Sequence, residues 1–429
     1  MFNIAFAMQN PRIFIKAMTI GPRLRYVAEE VFGRRLGLDF VLGDAGSIPP
    51  TEDFLISYGM ESRGWIVPES GILKTGTLAE MKFNFENMDF KKVADHEDNR
   101  FKTDWLGLIF WFLSRQEEYQ MKNQQDQHGR FSPTFSPLFK LDKYRYPWVD
   151  FWVERLREQL LDAAILTQRP ETDTEISFDI DHMLAFREKG AYRNAGGLVR
   201  DFFAFRFGKI AKRISVLTGI SADPYASIPE IEFQLRPGMN PSFFIWIGDY
   251  GPFDKGLSYE NPVLRKTVKL LSEKYRIGLH PSYAVFSSPG KLKKEKGRLE
   301  QIVEMGIAHN RFHYLRFRLP ESYRLLISNG IEHDFSMGFS EIPGYRAGTG
   351  WPFYWYDLER EEKTRLLIHP FAIMDSCARY KLNWNAEKFI AVCRSMKSEA
   401  AAVSGKFHVV MHNEFCAWKG WENVLGSLE

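Results

Sequence analysis

The chain has 429 residues, 45% hydrophobic and 26% charged, with a formal net charge of +3. That length exceeds one ordinary core and points to two domains, while the small net charge excludes the strongly basic surface of a general nucleic-acid binder. Three cysteines (Cys377, Cys393, Cys416), none in a CxxC pair, exclude a disulfide framework and fit a reducing compartment.

The stretch from Met1 to Ile20 is mildly apolar but is interrupted by Asn10, Pro11, Arg12 and Lys16. It reads as folded structure and not as a signal peptide. No run reaches the roughly 18 apolar residues of a membrane span, so the expected location is the cytoplasm. Residues 1–168 read as a compact α/β domain. Phe40-Val-Leu and Phe54-Leu-Ile-Ser-Tyr are strand-like, and Trp105 to Leu113 is dense enough for a buried helix. Val149, Trp152, Val153, Leu156, Leu160 and Leu161 fall at helical spacing. The polar stretch Gln168 to Glu175 is the expected boundary.

From there to residue 429 the texture changes. Short apolar runs end in an acid or a histidine: Ile176-Ser-Phe before Asp179 and Asp181, Phe243-Phe-Ile-Trp-Ile before Asp249, Ile277-Gly-Leu before His280. The pattern recurs with Ile331 before His333 and Asp334, Leu366 to Met374 before Asp375, and Phe407 to Met411 before His412. Helical patterns at Asn261–Lys274 and Asn385–Val403 lie between such runs. Alternating strands and helices predict a parallel sheet or barrel, with chemistry where the strand C-termini converge.

An insertion at about 183–240 breaks this alternation. Within 187–213, Arg and Lys residues interleave with Phe202, Phe203, Phe205 and Phe207. Two expectations follow: a solvated basic helix packing its phenylalanines on the barrel, or peripheral contact with an anionic membrane face.

Asp179-Ile-Asp181 puts two carboxylates on one face of a strand. They repel unless a cation lies between them or one stays protonated; a turn or capping role is the alternative. His280 at a strand end is a metal-ligand candidate, and Gly278 before it marks close backbone approach or a bulge. His412 could protonate a leaving group. Arg311 could hold a catalytic carboxylate ionised.

Taken together, residues 175–429 resemble the polysaccharide deacetylase family, also known as the NodB-homology or carbohydrate esterase family 4 group. The resemblance rests on Glu175-Ile-Ser-Phe-Asp-Ile-Asp, Pro241-Ser-Phe-Phe-Ile, Arg276-Ile-Gly-Leu-His-Pro-Ser, Arg311-Phe-His-Tyr and His408-Val-Val-Met-His. It implies a distorted (β/α) barrel of about seven strands and removal of N- or O-acetyl groups from a glycan or glycan precursor. It implies a divalent metal, zinc first and cobalt or nickel next. By the same resemblance Asp179 is the base, Asp181 and His280 are metal ligands, Arg311 steadies the base and His412 is the acid. The family's second metal histidine falls at Ala284 here; His313, Ser282 or water are the alternatives for that place. Tyr314, Arg346 and Trp351 are the candidate sugar contacts, the last two from the loop Gly344-Tyr-Arg-Ala-Gly-Thr-Gly-Trp. The stretches Asp104-Trp, Leu113 to Tyr119, His128-Gly-Arg-Phe and Tyr146 to Asp150 resemble a domain that precedes such barrels in bacterial proteins. A catalytically degenerate, glycan-binding barrel is the competing expectation, because two ligands alone do not make a catalytic zinc site.

Overall fold

The computed structural model describes residues 12–51, 53–76, 85–121, 124–163, 174–236 and 238–428. The boundary expected near residue 168 and the first eleven residues lie outside them.

Among the described residues six strands form the first sheet: β1 (Ile13–Ala17), β2 (Phe40–Gly43), β3 (Phe54–Tyr58), β4 (Trp65–Val67), β5 (His96–Glu97) and β6 (Arg100–Phe101). Their order is β2-β1-β3-β4-β6-β5, parallel except for the β5–β6 hairpin. Helix Trp105–Leu113 is buried along its whole length, as its unbroken apolar composition requires. Asp104 caps it by accepting from the Gly107 amide at 2.8 Å, and also accepts from the Tyr58 and Ser70 hydroxyls. Such a cap stabilises a helix by about 1 kcal/mol.

The second sheet holds β7 (Thr174–Ile180), β8 (Ser242–Trp246), β9 (Arg276–His280), β10 (His309–Asn310), β11 (His333–Asp334), β12 (Phe353–Asp357), β13 (Glu362–Ile368), β14 (Ile373–Met374) and β15 (Phe407–His412). The order is β12-β13-β11-β10-β9-β8-β7-β15-β14, all parallel except β12 against β13. Among the described residues the sheet has nine strands against the about seven expected of the barrel, and no pairing joins β14 to β12. The apolar run Leu366 to Met374 divides at His369-Pro370 between β13 and β14. β8 is buried at every position, the mark of a parallel strand covered on both faces.

One continuous apolar cluster runs through both sheets. Polar bolts cross between the halves. Arg23 is buried and forks onto Glu361, Arg346 forks onto Glu118, and the Tyr26 hydroxyl donates to the Tyr354 carbonyl at 2.7 Å. Among the described residues no helix is long and apolar enough to cross a membrane.

Candidate metal centre and active-site cleft

Alternation along β7 sends Ile176, Phe178 and Ile180 to one face and Ser177, Asp179 and Asp181 to the other. On the neighbouring strand, His412 lies in register beside Asp179. β9 and β10 end in His280 and, just beyond, Arg311 and His313. These C-terminal ends form one rim, and Asp179, Asp181, His280, His313, Tyr314 and His412 all line a single cavity of about 240 Å³. A larger groove of about 740 Å³ runs past Arg318, Arg324 and Arg365 and contains none of these six residues.

Asp181, His280 and His313 each offer a ligand atom, and these atoms lie within 4.8 Å of one another. The outer ring nitrogens are already engaged. His280 Nδ1 lies 2.6 Å from the Arg311 carbonyl oxygen, which can only accept, so Nε2 is left with its lone pair toward Asp181. His313 Nδ1 bonds Asp254 at 3.0 Å, and its Nε2 lies 3.5 Å from Asp181. Imidazoles held from behind by a carbonyl or carboxylate are the arrangement that orients metal-binding histidines. Asp181 Oδ1 is buried and has no hydrogen-bond partner among the described residues, although His280 Nε2 is 3.0 Å away. A buried carboxylate oxygen facing a nitrogen lone pair is unfavourable alone and satisfied by a shared cation. The donor set therefore fits a divalent metal.

Asp254 is fixed in turn by the Trp246 indole and the Tyr283 amide at 3.0 and 2.9 Å. Burial works against the charge on Asp181, but the charge on His313 outweighs it and holds Asp181 well below the usual carboxylate range. Burial would likewise lower His313, but Asp181 and Asp254 outweigh it and hold its pKa up to about 9.

Asp179 is fully buried and accepts from Arg311 Nη1 at 2.8 Å. Arg311 also donates to the Phe335 carbonyl and lies 4.4 Å over the Phe244 ring. That ring needs Gly278, because a Cβ there would sit 2.5 Å from it. The glycine inside β9 thus makes room for the platform under the arginine that holds Asp179. His408 is kept neutral by burial and by Arg311, and accepts from the Ser177 hydroxyl at 2.7 Å.

His412 Nδ1 donates to Asp375 at 2.6 Å, and the same carboxylate accepts the His412 amide at 2.7 Å. Burial would lower His412, but Asp375, Asp181 and Asp179 raise its pKa to about 10, so it is an imidazolium at neutral pH. Burial and nearby Asp181 raise Glu414 to about 7.

Other expected site residues lie elsewhere. Ser282 gives its hydroxyl and amide to Glu295 and is turned from the ligand cluster. Arg346 is buried against Glu118, and Trp351 donates its indole NH to the Ser404 carbonyl; neither lines the cleft. The loop carrying them is a packing device. Asp150 accepts from Thr349, the Gly350 amide and Arg35, tying the loop to the first half of the chain. A Cβ on Gly350 would lie 1.9 Å from the Lys406 carbonyl oxygen. Gly350→Ala is therefore expected to destabilise the protein by about 1–3 kcal/mol, read as a lower midpoint in thermal unfolding; an unchanged midpoint would contradict this packing. Tyr314 alone of the three proposed sugar contacts lines the cleft.

Sequence reasoning missed Asp254; Asp249, the acid noted after the run Phe243 to Ile247, binds Lys294 and Arg298. The missed acid follows the turn Gly251-Pro-Phe, beyond the end of the strand, so adjacency to an apolar run did not reveal it. It also missed that His128 and Arg130, from the first half of the chain, line the same cavity.

Residues 13–164 match the model of a family of unknown function, DUF7033. No curated protein matches the chain significantly. Among solved structures, the chain is similar to a Mycobacterium smegmatis protein assigned as a polysaccharide deacetylase, at 13% identity and a TM-score of 0.40, over 61% of this chain and 85% of that one. It is also similar to the Puue allantoinase, at 8% identity and a TM-score of 0.39, over 59% of this chain and 82% of that one.

Proposed function

We propose that the chain is a metal-dependent hydrolase that removes acetyl groups from a glycan or glycan precursor. One observation carries this reading: a three-residue ligand cluster shares its cavity with an arginine-held aspartate and a carboxylate-held histidine. The motif resemblance names the substrate class.

Asp181, His280 and His313 would hold the metal, and two imidazoles with one carboxylate suit zinc first, then cobalt or nickel. Bound there, it supplies Lewis acidity and a more acidic water. Asp179 takes the proton of the hydrolytic water. The guanidinium of Arg311 holds its carboxylate in place by a charge-assisted hydrogen bond. His412, charged through Asp375, gives its proton to the departing amine or hydroxyl. Tyr314 and Phe253, both part-exposed beside Tyr283, offer ring faces to a sugar at the mouth.

The test is acetate release from N- and O-acetylated oligosaccharides by metal-loaded protein. Asp179→Asn is expected to slow release by about 10²–10⁴-fold. Equal rates would remove Asp179 as the base. No release from any acetylated glycan by a fully metal-loaded protein would overturn the substrate class.

A further inference from the structure

Among the described residues the insertion between β7 and β8 holds three helices, and the first two, Gly190–Phe203 and Phe207–Leu217, form a hairpin ahead of Ile228–Gln234. Polar bolts hold the pair: Arg213 donates to Asn194 and Asp201 at 3.0 Å each, both buried. Asp223 accepts the amides of Ala185, Phe186 and Arg187 at the base. The phenylalanines do not pack on the sheet as one sequence expectation had it. Phe202, Phe203, Phe205 and Phe207 cluster at the turn between the helices and are 57% to 80% exposed. Ile214 and Leu217 are exposed on the second helix. An apolar patch of this kind on a water-facing surface marks a docking face.

The charge around it is one-sided. Residues 187–217 contain eight Lys or Arg and two Asp or Glu. One of the two acids, Asp201, is buried against Arg213. Arg187, Arg200, Arg206, Lys209 and Lys212 are exposed. Two copies of so cationic a face would repel each other, so the partner is anionic. Four rings at a convex helical turn, flanked by cations, fit a layer that rings can enter while phosphates meet the charges. We infer that this hairpin docks the protein on an anionic membrane surface, with the phenylalanine turn in the interfacial layer and the cations on lipid phosphates.

The base of the hairpin lies beside the cleft rim. The insertion leaves the sheet directly after Asp181, and Arg193 donates to the carbonyls of Lys255 and Gly256, next to Asp254. The inference does not depend on the hydrolytic reading, and its test measures no catalysis.

The test is co-sedimentation of the full chain with phosphatidylcholine vesicles and with equal mixtures of phosphatidylcholine and phosphatidylglycerol. Binding to the mixed vesicles alone, weakened by salt, is expected. Arg206→Gln/Lys209→Gln/Lys212→Gln should weaken it by about fivefold per cation, roughly 100-fold in all. Phe203→Ser/Phe205→Ser should also release the protein, and both variants should keep the native thermal midpoint, since these side chains are exposed. Failure of the native protein to bind anionic vesicles, or unchanged binding by both variants, would overturn the inference. So would a concentration-dependent dimer that the phenylalanine variant abolishes, with no vesicle binding.

Discussion

Asp181→Asn and His313→Ala are each expected to abolish stoichiometric metal binding, because each removes one of three protein ligands. Asp254→Asn touches no ligand site directly, but it releases His313 from behind and is expected to weaken affinity by about 10–100-fold. Metal analysis of the purified variants, with zinc titration of the native protein, checks both. The pH dependence has a definite sign. With its pKa near 9, His313 is protonated in the metal-free protein at neutral pH, and only the neutral ring can bind. Binding therefore releases a proton, and affinity should rise with pH until about 9 and then level off. Calorimetry in buffers of different ionisation enthalpy measures that proton directly. Metal that binds native protein and Asp181→Asn equally well would place the ion elsewhere.

Removing the carboxylate behind the acid should have the second large effect. Asp375 is buried and anchors both the ring and the amide of His412. Asp375→Asn keeps the shape but removes the first of the charges that hold His412 protonated. If His412 protonates the leaving group, kcat should fall by about 10²-fold or more. The alkaline limb of the kcat/KM profile should also move to lower pH, because the acid then loses its proton sooner. The linked stability term has the matching sign. A raised folded pKa contributes stability fully present below about 6.5, and that contribution is lost as pH rises through about 10. A variant with a reduced rate but an unmoved alkaline limb would assign Asp375 to structure alone.

Much of this was local and therefore legible in the sequence. Apolar runs ending in acids or histidines marked β7, β8, β9 and β15, because strands buried on both faces are largely apolar. The spacing of Asp179 and Asp181 placed them on one face, and Gly278 announced the tight contact that Phe244 makes. Residues whose role depends on a distant partner were not legible. Asp254 looks like any loop acid until the fold sets it behind His313. Arg346 and Trp351 sit in a loop whose composition suits a sugar site, yet Glu118 and Ser404, far away in sequence, claim them. The interleaving of Arg, Lys and Phe at 187–213 was plain, but its composition is compatible with rings packed inward or outward. Only the tertiary structure decided that, because the helices are joined by Arg213, Asn194 and Asp201 and leave the rings in the open.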